Sequence, residues 1–162
     1  MAPRSTTALA IMVTLIMAMI LTILPIADWA RAYRPLWIPL VLIYWTMALP
    51  RTIGVGIAWF VGLYMDATLG TLLGQHAAGY AITAYISMRF HQRTRVYPLG
   101  QQALAIGLML LPYMSLTLWA KGIQGQAPDT WLYWAPLLSS VLVWPPLFLI
   151  LRKIRRQAAN TH

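Results

Sequence analysis

Cysteine and glutamate are both absent from this chain, and the acids that remain are Asp28, Asp66 and Asp129. Without cysteine there is no thiolate nucleophile, no disulfide and no cysteine metal site. Neither a carboxylate pair nor a Ser-His-Asp set is arranged for hydrolysis. Charge of either sign is scarce: charged residues make up 9% of the 162, where a soluble domain carries roughly a quarter. So little polar surface cannot cover a soluble core, and hydrocarbon is the solvent that this composition fits. No polar stretch is long enough for a soluble domain. Any function therefore rests on helices, their ends and short loops.

What is present in quantity is apolar side chain, 60% of the sequence, in long runs. A membrane-crossing helix needs ~20 mostly apolar residues. The expectation is an all-α integral membrane protein, one polytopic domain over residues 1–162 with spans at 6–24, 36–49, 53–69, 72–90, 99–119 and 131–151. The second segment is short and needs local thinning of the bilayer, or Trp37 and Tyr44 at the interfaces, to fit. Segments two and three, joined only by Pro50–Thr52, are also readable as a re-entrant hairpin. Pro112, Pro136, Pro145 and Pro146 fall inside spans and suggest kinks whose freed backbone groups neighbouring helices satisfy. Ala30-Arg31-Ala32 has the form of a leader cleavage site, but the apolar run before it is too long and Trp29 crowds it.

The bases orient the spans. Alternating crossings put Arg4, Arg51, Arg89, Arg93, Arg95, Arg152, Lys153, Arg155 and Arg156 on one side, against Arg31, Arg34 and Lys121 on the other. The positive-inside rule then places both termini in the cytoplasm. The net charge of +9 reads as topology, and no nucleic-acid partner is expected. The two basic runs, Arg89, Arg93, Arg95 and Arg152, Lys153, Arg155, Arg156, also suit anionic lipid or a cytoplasmic partner, each base contributing ~1 kcal/mol near a membrane surface. Trp29, Tyr33, Trp37, Trp119, Trp131, Tyr133 and Trp134 fall near span ends, as an interfacial aromatic belt does.

Gly54, Ala58, Gly62, Asp66, Gly70 and Gly74 recur every four residues. Such spacing makes a winding ridge of small side chains along which membrane helices approach closely. Ala77, Ala78, Gly79, Ala81 and Ala84 of the next segment offer a thin partner. Gly70 and Gly74 belong to the turn between the two segments rather than to one continuous helix. Asp66 lies roughly 20 Å along a helix from Arg51, in the outer third of a bilayer. An acid at depth is costly unless paired or wet, which makes it a functional candidate; the alternative is an interfacial Asp at a helix end. Its candidate partners are Arg31, Arg34, Gln75, His76, Lys121 or a group on another protein. His91 belongs to a basic loop and His162 to the tail, and no His/Asp set has metal-ligand spacing. Ser139 and Ser140 read as helix-packing hydroxyls. No phosphate-binding or dinucleotide motif is present, and no cofactor is expected.

Tyr33-Arg34-Pro35-Leu36-Trp37, Tyr44-Trp45, Ala48-Leu49-Pro50 and Gly54-Val55-Gly56 together resemble the rod shape-determining protein MreD family. The likeness continues through Gly62, Asp66, Gly70 and Leu73-Gly74 to Trp144-Pro145 and Arg152-Lys153-Ile154-Arg155. Each match is weak alone; their order and spacing over nearly the whole chain are specific. The resemblance implies a noncatalytic cell-elongation factor of the bacterial inner membrane. It implies association with MreC, a single-span periplasmic protein, and with the RodA glycosyltransferase, a class-B penicillin-binding transpeptidase and cytoskeletal MreB. It also implies a six-helix layout similar to the substrate-binding components of energy-coupling-factor transporters, which by analogy leaves a small-molecule or lipid carrier as the alternative function. The positions matched for partner contact or helix packing are Arg34, Pro35, Tyr44, Trp45, Pro50, Gly54, Gly62, Asp66, Gly70 and Gly74.

Overall fold

The computed structural model describes residues 5–160, so Arg4 and His162 lie outside the described residues. Regular structure within that range is helical: α1 Ser5–Ile23, α2 Asp28–Arg31, α3 Trp37–Ala48, α4 Val55–Leu69, α5 Gln75–Thr94, α6 Leu99–Ile123 and α7 Ala135–Asn160. A 3-10 turn at Trp131–Trp134 leads into α7. Three helical segments are long and apolar enough to cross a membrane: Ser5–Ile23, Leu99–Ile123 and Trp131–Asn160. Helices α6 and α7 run through Pro112 and through Pro145 and Pro146.

The second apolar segment forms the centre of the bundle. Every residue of α3 from Ile38 to Met47 is buried. A helix that is apolar all round has no face to offer water, and it ends up enclosed by other helices. Here α1, α5, α6 and α7 surround it. Tyr44 is 2% exposed, so its ring is enclosed by neighbouring helices and does not face lipid. The helix has 12 residues and is roughly 18 Å long, against a hydrocarbon core of ~30 Å.

Polar side chains stitch these helices together where apolar packing alone would leave register free. Trp45 Nε1 donates to Thr14 Oγ1 at 2.9 Å, joining α3 to α1. The Thr46 and Ser87 hydroxyls lie 2.7 Å apart across α3 and α5. Trp144 Nε1 donates to Gln102 Oε1, and Gln102 Nε2 donates to the Thr94 carbonyl, both at 3.0 Å. Ser140 Oγ accepts the Leu36 N–H at 2.9 Å and donates to the Pro136 carbonyl, which fits the packing role expected of it.

The two ends of the bundle differ. At one end Thr6 Oγ1 donates to the Ala158 carbonyl at 2.8 Å, which brings the start of α1 beside the end of α7. At the same end Arg95 donates to the Ala48 carbonyl at 3.0 Å. At the opposite end Arg34 donates to the Thr22 and Leu24 carbonyls, which tethers the chain after α2 back onto α1. Helix α4 makes its principal contact with α5 and turns Trp59, Phe60 and Tyr64 outward.

Candidate functional site

Asp66 sits in the last turn of α4 and is 1% exposed. Two helix ends meet around it. The α4 terminus is closed by Gly70, whose φ of 67° is left-handed, while Thr71 N–H donates to the Asp66 carbonyl at 3.1 Å. This is the usual way for a helix to satisfy its last carbonyls. The chain then reverses, and Gly74 enters α5 with φ 99° and no side chain to cap the new helix. The first N–H groups of a helix have no partner inside it.

The Asp66 carboxylate supplies that partner from the preceding helix. Oδ2 accepts the Gly74 N–H at 2.9 Å and the Ala77 N–H at 3.3 Å. Oδ1 accepts the His76 N–H at 2.9 Å, the Thr71 hydroxyl at 2.7 Å and His76 Nδ1–H at 2.8 Å. The three backbone amides can only donate, which matches an ionised carboxylate, and towards such a carboxylate the Thr71 hydroxyl and the Nδ1–H tautomer of His76 donate as well. The helix dipole adds attraction of up to ~2 kcal/mol in partly buried geometry. Donation from Nδ1 holds in either charge state of the ring, so the clasp does not require an imidazolium. His76 therefore is the partner among those anticipated. Arg31 instead pairs with the exposed Asp28 at 3.3 Å, and Lys121 lies over the Tyr133 ring.

Gly62 makes the clasp reachable. It lies one turn before Asp66 on the buried face of α4, with Ala58 and Met65. A Cβ at Gly62 would stand 2.3 Å from Ala77 Cα and 2.5 Å from its nitrogen. The two backbones touch there. The ridge is narrower than its spacing suggests: a Cβ on Gly54 would meet nothing within 4 Å, and Gly70 and Gly74 lie outside the helix. Gly79 serves a different contact, since its Cβ would fall 2.5 Å from the Tyr113 ring of α6.

The other anticipated residues fall into separate places. Trp45 and Tyr44 are core, with rings in edge contact at 5.3 Å. Pro35 and Pro50 flank α3. The seven bases of the two runs lie in several places. Arg95, Arg152 and Arg155 line one cavity of about 490 Å³. Arg93 lines a separate one, Lys153 and Arg156 lie along a shallow groove, and Arg89 is exposed. Thr71, Gln102, Thr46 and Ser87 were not singled out from sequence. Single threonines and glutamines in apolar runs are the available signal, and it does not say which neighbour they meet. Beside the clasp, a cavity of about 700 Å³ is lined by Thr71, Gln75, His76, Tyr113 and Lys121 among others.

Comparison with known proteins follows the same outline. No solved structure is a significant match. The chain is 31% identical over 141 residues to the rod shape-determining protein MreD of Haemophilus influenzae (strain ATCC 51907 / DSM 11121 / KW20 / Rd), covering 83% of this chain and 85% of that protein. The family model for rod shape-determining protein MreD matches residues 3–154. A helical, apolar chain with this extent of match has a role in rod-shape determination and belongs to the MreD family.

Proposed function

We propose that this chain is a noncatalytic membrane scaffold of the bacterial cell-elongation complex, binding MreC and helping to regulate peptidoglycan synthesis. The match to the MreD family over residues 3–154 carries this reading. The site geometry supports its noncatalytic part. Asp66, with its five donors, already holds α4 to α5, and a carboxylate so occupied is poorly placed to exchange protons with a substrate. RodA, the class-B transpeptidase and MreB join the complex directly or through MreC in this scheme.

The proposal includes six crossings of the inner membrane with both termini in the cytoplasm. Supporting it, successive long helices enter and leave at opposite ends, and the start of α1 meets the end of α7. Arg95, Arg152 and Arg155 gather at that end. Helices α3 and α4 are short for a bilayer, and α3 gains its place by being enclosed in protein, where the depth of lipid does not apply. The likeness to transporter substrate-binding components is part of the same proposal and rests on the six-helix layout.

Co-purification from the host membrane tests the scaffold. Tagged chain extracted in mild detergent enriches MreC over an unrelated multi-span protein; equal recovery of both refutes the reading. One observation favours a second function, a small-molecule carrier: the cavity beside His76 has the size of ligand pockets, which run ~300–1,000 Å³. Native mass spectrometry of gently extracted protein then shows a stoichiometric adduct, and a bare protein peak rejects the carrier.

A further inference from the structure

The cavity at the arginine-rich end has a composition that the scaffold role does not use. It lies between the end of α3, the loop joining α5 to α6, and α7. Tyr44, Met47, Arg95, Phe148, Arg152 and Arg155 are among its lining residues. Three arginines line it, and among the described residues no carboxylate answers them. Of the three acids in the sequence, Asp28 is paired with Arg31 and Asp66 with the α5 terminus. Asp129 lies in the loop after α6, at the opposite end.

Like charges drawn together without a counter-ion repel, so the arrangement gains by taking up an anion. Two of the bases are held in position. Arg95 donates to the Ala48 carbonyl at 3.0 Å, and Arg155 stacks 5.8 Å from the centre of the Tyr44 ring. Arginine's planar fork matches phosphate oxygens two at a time. A second, independent feature points the same way. The Tyr44 hydroxyl is buried and is without a hydrogen-bond partner among the described residues. Arg95, Arg152, Arg155 and Arg156 are the charges within its electrostatic reach. A buried hydroxyl without a partner is unfavourable, and this one belongs to a residue that lines the cavity.

The surroundings say what carries the phosphate. Met47 and Phe148 make part of the wall apolar. On α7, Leu149 and Ile150 are 50% and 56% exposed, within one turn of Arg152. The apolar outer belt of the bundle thus ends where the basic cavity begins, as at the boundary of hydrocarbon and headgroups. We infer that this cavity binds the phosphate headgroup of an anionic phospholipid, with Arg95, Arg152 and Arg155 on the phosphate and the acyl chains leaving along α7. The volume of about 490 Å³ is that of a small-molecule pocket.

The test uses the full chain, delipidated in detergent and titrated with phosphatidylglycerol, phosphatidylcholine or inorganic phosphate, and read by native mass spectrometry. One phosphatidylglycerol binds in preference to phosphatidylcholine. R152Q/R155Q weakens it by about tenfold, whereas R51Q/K153Q, which removes two exposed bases outside the cavity, changes it by less than about twofold. Arg155→Lys keeps the charge, and a several-fold loss there ties binding to the guanidinium fork even if the double variant folds poorly. Equal weakening by both double variants, or equal binding of the two lipids, overturns the site. Displacement of phosphatidylglycerol by millimolar inorganic phosphate overturns the lipid assignment and gives the site to a free phosphate.

Discussion

Replacing Gly62 with alanine puts a methyl group into the narrowest part of the α4–α5 contact. The new carbon would lie 2.3 Å from Ala77 Cα, against an optimum of ~3.5–4.0 Å for carbon pairs. The obstacle is backbone, so no side chain can rotate away, and the helices must part by about 1 Å or more. The Asp66 contacts to Gly74 and His76 N–H, both now 2.9 Å, then lengthen towards ~4 Å, beyond the usual range of ~2.7–3.2 Å. Overpacking costs about 1–3 kcal/mol and a lost cap about 0.5–2 kcal/mol. Gly62→Ala is thus expected to destabilise the chain by roughly 1.5–5 kcal/mol. Thermal unfolding in detergent, followed by tryptophan fluorescence, measures it. The mechanism also demands coupling. Asp66→Asn costs much less in the Gly62→Ala background than alone, because the clasp is already open. A Gly62→Ala protein with wild-type unfolding temperature refutes the close approach. Single costs that add within ~0.3–0.5 kcal/mol refute the link between approach and cap.

Asp66→Asn replaces one acceptor oxygen with a donor that faces donors, and should cost about 1–3 kcal/mol; Asp66→Leu, which strands the amides of Gly74, His76 and Ala77, should cost more, and an unchanged protease-resistance profile for both would contradict the clasp. Gly70→Ala and Gly74→Ala each lose ~1–2 kcal/mol through their left-handed backbone alone, while Gly54→Ala, with open space and φ −118°, stays within ~0.5 kcal/mol of wild type in the same unfolding assay. Gln102→Leu leaves the buried Trp144 N–H unpaired and removes one of the two donors to the Thr94 carbonyl, and should destabilise by roughly 1–3 kcal/mol. Retained stability in that variant would show that the α5–α6–α7 junction does not depend on the glutamine.

The parts of the fold that the sequence carries plainly are those that depend on composition over a long window. The segments of α1, α6 and α7 each hold an apolar window of eighteen residues, so their existence follows from length and composition together. For α3 the sequence shows only that residues 36–49 carry no charge; that Ile38 to Met47 are all buried at the centre of the bundle is seen in the structure. A short span fits a bilayer by local thinning or by interfacial Trp37 and Tyr44; what composition does not reveal is that helices enclose Tyr44, which is 2% exposed. The clasp was half legible. Spacing marked Asp66 and Gly62, and the turn at Gly70 and Gly74 was expected. But three of the five donors to Asp66 are backbone amides, which no side-chain pattern records. They become available only because the chain reverses and points the start of α5 at the end of α4. The arginine cavity was hidden for a related reason. Arg95 and Arg152 are far apart in sequence, and their meeting depends on the α5–α6 loop packing against α7.

The scaffold assignment is tested most directly inside the cell. The tagged chain is crosslinked in living host bacteria, isolated under denaturing conditions, and its attached peptides are identified by mass spectrometry. The account predicts crosslinks to MreC that are absent from an unrelated multi-span protein of equal abundance. Recovery of crosslinks to itself and to bulk membrane proteins alone, with MreC expressed and detected in the same cells, would contradict it.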